Sequence, residues 1–87
     1  MKKIVTVTEV EGEGLIKLIG HVVTLFCLNY IYTGLLEGVN GDCVLLSNPS
    51  IVYETGPFNT KDWVDAQKLP NDIYVMKSAI ESFGLVK

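Results

Sequence analysis

Cys27, Cys43 and His21 are the side chains best equipped for metal ligation or nucleophilic attack, and their number and spacing argue against both. A zinc site needs four convergent nitrogen or sulfur ligands, and two cysteines with a single histidine fall short of that set. His21 and Cys27 share a run that reads as extended chain. At about 3.3 Å per residue they stand too far apart for a nucleophile–base contact unless the chain folds back. Both cysteines fall inside expected strands and read as buried free thiols rather than as a disulfide. The carboxylates Asp62 and Asp65, and Glu9, Glu11 and Glu13, lie in polar stretches without the dense ligand spacing of a calcium loop; they read as solvated surface. Gly12, Gly14 and Gly20 lack phosphate-loop spacing after a strand. The expectation is a protein with no catalytic residues, no cofactor and no metal.

Charge and composition narrow the remaining binding roles. The net charge is −3 and the pI near 4.9, so the overall field does not hold nucleic acid, although a local basic rim is compatible with it. All seven cations are lysines: Lys2, Lys3, Lys17, Lys61, Lys68, Lys77 and Lys87. Without arginine the chain lacks the usual bidentate reader of phosphate and guanine. Its 87 residues fit one domain, which at this size buries only about 60–65% of its unfolded surface. Yet 48% of the residues are hydrophobic and the mean hydropathy is +0.33. That surplus points to a surface covered by another subunit, with a dense monomeric core as the alternative. His21, Thr24, Asn29 and Glu37 interrupt the most apolar region, so no window reaches the roughly 20 apolar residues of a membrane helix. Met1 to Glu9 has no sustained apolar stretch of the secretory kind. The cytoplasm is the expected location.

The elements that must position these residues are strands. From Ile19 to Thr55 the chain is a succession of β-branched, aromatic and leucine residues broken by Gly34, Gly38, Asn40-Gly41-Asp42 and Asn48-Pro49, which predicts three antiparallel strands in a bent meander. The first, Val22 to Leu28, is apolar on both alternation sets and is expected to be covered on both faces. The second, Ile31 to Val39, carries Gly34 and Gly38, which predict a bend. The third runs from Cys43 to Leu46 and resumes from Ile51 to Glu54, with Ser47-Asn48-Pro49-Ser50 as a bulge or wide turn. Residues 1–13 are expected to form a flexible arm or edge strand, and Gly14 to Ile19 a short helix ended by Gly20. Residues 56–72 read as one long loop containing Phe58 and Trp63. Trp63 is either a protein-binding anchor, with Phe58 beside it, or a side chain folded back on the body. Ile73 to Met76 makes a fourth strand, Lys77 to Ile80 a helical turn and Glu81 to Val86 a fifth. Together these predict a mainly β fold, a small five-stranded, bent antiparallel SH3-like barrel with a short N-terminal helix, occupying residues 1–87 as one domain.

Over residues 14–86 this pattern resembles the Sm-like (LSm) family. Gly20, Val22, Val23, Leu25, Gly34, Leu36, Val39, Asp42, Val44 and Leu46 lie on its first motif, and Val75-Met76-Lys77-Ser78-Ala79-Ile80 is similar to its second. The resemblance implies a closed ring of five to seven copies, built by pairing edge strands of neighbouring barrels. It also implies a single-stranded RNA site formed by Asn40, Asp42, Lys77 and Ser78. The Asn40 turn carries no aromatic stacker, and Lys77-Ser78 stands where the family has Arg-Gly. With ring and guanidinium both missing, RNA binding is the alternative, and a structural or protein-binding ring is the first expectation. The Asn29-Tyr30 turn and the 56–72 segment are closer to divergent, phage-encoded small barrels, which would put the protein in a virion or host cytoplasm.

Overall fold

A computed structural model describes residues 14–87. The arm or edge strand expected over 1–13 lies outside the described residues. Six strands, β1 (Val22–Cys27), β2 (Ile31–Val39), β3 (Cys43–Glu54), β4 (Asp65–Lys68), β5 (Ile73–Met76) and β6 (Ile80–Gly84), form one antiparallel sheet. Its order is β4-β3-β2-β1-β6, with β5 also paired to β3. The fold is therefore mainly β, with six strands where five were expected, in a sheet whose pairing does not close on itself. β3 takes two partners along one edge. Cys43 to Leu46 pair with β5, and Ser50 to Glu54 pair with β4.

The extra strand is β4, inside the stretch read as a single loop. Asp65-Ala66-Gln67-Lys68 is exposed throughout, so no apolar alternation marks it. Its extended conformation follows from pairing with β3, where Ile51 lies opposite Gln67 and Val52 opposite Ala66. The short helix expected from Gly14 to Ile19 is a 3-10 helix, Gly14–Leu18, followed by Gly20 at a φ of 92°. That left-handed backbone suits glycine, because a Cβ there meets the neighbouring carbonyl. A second 3-10 turn, Lys77–Ala79, joins β5 to β6.

Two irregularities bend the meander. Leu35 pairs with Ser47 and Thr33 with Ser50, so Gly34 faces the two residues Asn48 and Pro49. A Cβ on Gly34 would sit 3.0 Å from the Ser47 carbonyl oxygen and 3.2 Å from the Pro49 Cα. Glycine lets the two backbones meet there. Asn48, at a φ of 47°, takes the left-handed conformation that asparagine tolerates better than most residues. On the other strand Leu36 pairs with Leu46 and Gly38 with Leu45, leaving Glu37 as the extra residue. Its carboxylate accepts a 2.8 Å hydrogen bond from Ser47 Oγ.

The core is built by Val23 and Leu25 of β1, Leu36 of β2, Val44 and Leu46 of β3 and Val75 of β5. Leu15 and Leu18 of the first 3-10 helix lean on it, their spacing of three matching one turn of that helix. Gly20 N–H donates to the Leu36 carbonyl at 2.8 Å and Leu36 N–H to His21 at 3.0 Å, prolonging the β1–β2 ladder to the helix. Val23, Thr24 and Leu25 are buried in succession, so the middle of β1 is covered on both faces, whereas Val22 at its start and Leu28 just past its end are exposed, against the expectation of cover along the whole run. Part of the second cover is the 56–64 segment, which brings Phe58 to 6.4 Å from Phe26 between ring centroids.

Candidate functional site

Lys77 joins the two ends of the sequence-predicted RNA site. Asn40 closes the β2–β3 turn with its own side chain, its Oδ1 accepting from the N–H groups of Asp42 at 2.7 Å and Cys43 at 2.9 Å. Lys77 begins the second 3-10 turn; its N–H donates to the Asp42 carbonyl at 2.8 Å and its Nζ to the Asn40 carbonyl at 3.2 Å. Asn40, Asp42 and Lys77 thus form one exposed corner, with Ser78 next in the chain and also exposed. The corner's polar atoms are partly spent on one another. Asn40 Oδ1 carries two backbone donors, and Asn40, Asp42 and Ser78 are all exposed.

Phe58 and Trp63 come together on the segment between β3 and β4. Their centroids lie 6.5 Å apart at an interplanar angle of 88°, the edge-to-face arrangement aromatic quadrupoles favour. Lys87 reaches this pair from the other end of the described chain. Its Nζ lies 4.6 Å from the Trp63 centroid and 5.7 Å from that of Phe58, and it donates to the carbonyls of Thr55 and Asp62. Trp63 is half-buried and Phe58 is 53% exposed. Both readings of Trp63 therefore draw on this geometry, with Trp63 packed and Phe58 offered to solvent. No spacing rule links residue 87 to residues 55 and 63, and Lys87 left no sign of this role in the sequence.

A third feature comes from the sheet ends. β4 and β5 each pair only with β3 and β6 only with β1, so among the described residues each has one edge without a strand beside it, and of these β5 and β6 carry large exposed apolar side chains. Tyr74 and Met76 on β5 are 70% and 53% exposed, and Phe83 on β6 is 41% exposed. A groove of about 380 Å³ runs beside β5, lined by Tyr32, Ile51, Leu69, Ile73, Tyr74 and Met76 among others. The unbroken apolar run Ile73 to Met76 carries this signal in the sequence, since only one alternation set can face the core.

Cys27 and Cys43 are free thiols, each half-buried rather than fully buried. Burial pushes the Cys27 thiol above its ordinary value. The Tyr32 phenol is raised as well, first by burial and then by Cys27, Tyr30 and Tyr53. Among the described residues no three of His, Cys, Asp and Glu gather as a metal would require, and no helix is long and apolar enough to cross a membrane. No family model, curated protein or solved structure matches the chain.

Proposed function

We propose that this chain is a non-enzymatic, self-associating scaffold of Sm-like type, in which β5 of one copy pairs with β6 of the next until a ring of five to seven copies closes. The observation that carries this reading is the pair of strand edges at β5 and β6, each bordered by exposed apolar side chains. Such edges are costly to leave open, because their N–H and C=O groups template pairing with any extended chain. Two different edges on one subunit make a heterologous contact, which either closes into a ring or runs on as a filament. Pairing would also let the barrel-like curvature of each sheet be completed by its neighbour. Phe58 and Trp63 then remain on the body of each subunit as the surface for another protein. Light scattering tests the reading: a mass of five to seven times 9.6 kDa supports it, and a monomer at micromolar concentration overturns it.

RNA binding at the ring is the second reading, favoured by the convergence of Asn40, Asp42, Lys77 and Ser78 on one corner. Lys77 would meet phosphate and the turn would meet a base edge. A labelled uridine-rich oligonucleotide, titrated at two salt concentrations, should bind more weakly at the higher salt and more weakly still to Lys77→Ala. Equal affinity of the variant and the parent sinks this reading.

A further inference from the structure

The ammonium of Lys87 sits in a cradle whose four walls are all uncharged. It donates to the main-chain carbonyls of Thr55, at 2.7 Å, and Asp62, at 2.9 Å. Trp63 and Phe58 present their rings at 4.6 and 5.7 Å, and the two rings stand at 88° to each other. Carbonyl oxygens and aromatic faces are the groups that attract a desolvated cation without needing a counter-charge. The combination selects for an alkylammonium. Two carbonyls within 2.9 Å of one nitrogen match the compact, rotatable donors of an ammonium, and a neutral alkyl end leaves both carbonyls with nothing to accept. One carbonyl precedes Phe58 in the chain and the other immediately precedes Trp63, so a single stretch, residues 55–63, supplies all four walls.

We propose that Thr55, Asp62, Trp63 and Phe58 form a binding site for a primary alkylammonium group, which Lys87 fills in the free chain and a lysine side chain of a protein partner fills in its place. The proposal deepens the partner-binding part of the reading above and rests on it, but it is independent of the β5 and β6 edges. Lys87 reaches the cradle through a flexible four-carbon stem, and ordering that stem has an entropic cost that makes the plug displaceable. The hydrogen bond to Asp62 is exposed and Phe58 is 53% exposed, so solvent reaches the cradle on that side. A partner would gain the same contacts and add others along its own chain.

Trp63 is the only tryptophan, so its emission reports on this site alone. The experiment titrates n-butylammonium, with n-butanol as the neutral control, into the parent protein, Lys87→Ala and Lys87→Met. Lys87→Met keeps an unbranched stem and serves where Lys87→Ala loses its fold. With Lys87 removed, emission should change saturably with the amine and stay unchanged with the alcohol. The parent should need several-fold more amine, because a tethered competitor acts at an effective concentration of the order of millimolar. A variant indifferent to the amine, or equally responsive to the alcohol, overturns the site. A lysine-containing peptide against its norleucine counterpart then tests the source. Response to the lysine peptide alone supports a protein partner, and response to free amine without either peptide overturns it. Light scattering on the same samples keeps loss of association separate from loss of this site.

Discussion

At Gly34 the bulge of β3 lies against β2 with no room for a Cβ. Alanine there would place a carbon 3.0 Å from the Ser47 carbonyl and 3.2 Å from the Pro49 Cα, both backbone atoms that cannot swing aside. Gly34→Ala should therefore cost about 1–3 kcal/mol, the usual range for overpacking. In an 87-residue domain each 1 kcal/mol lowers Tm by about 4–8 °C. Gly38→Ala is the control, since a Cβ at Gly38 meets nothing within 4 Å; a surface change of that kind stays within about 0.5 kcal/mol. Similar losses for the two glycines in urea titrations would show that the close contact is not what fixes Gly34. Cys27 makes a second prediction at this scale. Burial raises its folded pKa above the ordinary 9.0, so the folded state holds the proton more tightly than the unfolded chain. Its contribution is fully present below pH 9.0 and is lost as pH rises through the raised value, with Tyr32 adding a loss of the same sign beginning near its own ordinary 10.0. Urea midpoints should fall above pH 9, and Cys27→Ala should flatten the first part of that fall.

At the scale of elements, strands announced by apolar alternation and turn residues were legible, and strands made by pairing alone were not. β2 runs from Ile31 to Val39 as its sequence predicts, and the Ser47 to Ser50 interruption is a bulge within one strand because Gly34 gives it room. β4 has no apolar face, so nothing in Asp65 to Lys68 distinguishes it from the loop around it; only the open edge of β3 makes it a strand. The candidate site shows the same division. Asn40 and Lys77 were placed together by motif resemblance and meet through hydrogen bonds, whereas Lys87 joins Phe58 and Trp63 by a long-range contact that local spacing does not encode. The proposed association falls on β5 and β6. Tyr74→Lys on β5 and Phe83→Lys on β6 put a charge beside each edge, and both positions are open enough for the lysine stem to lie along the sheet with its ammonium in water. Each variant should keep a β-rich circular dichroism spectrum and run as a smaller species in light scattering. A full-sized assembly from both variants would mean that association uses some other surface.

For the whole molecule the proposed association accounts for the balance of apolar surface among the described residues. Among the described residues, seven hydrophobic side chains are buried and twelve large ones are exposed, including Ile16, Ile19, Val22 and Leu28 near β1, besides those at β5 and β6. A monomer with that balance presents patches of the kind that subunit contacts usually cover. If the folded subunit is stabilised by its neighbours, association adds to stability by mass action, and Tm rises with protein concentration. The parent should show that rise across a hundredfold dilution series in scanning fluorimetry, while Tyr74→Lys and Phe83→Lys melt at temperatures independent of concentration. Because the proposed contact is heterologous, the two variants are complementary. Tyr74→Lys retains an intact β6 edge and Phe83→Lys an intact β5 edge, so an equimolar mixture can make one good junction and no more. The mixture should therefore contain heterodimers that neither variant forms alone, and no rings. A mixture that remains monomeric, beside a parent whose Tm ignores concentration, would return the molecule to a self-sufficient monomer and leave its exposed apolar strands to a partner of another kind.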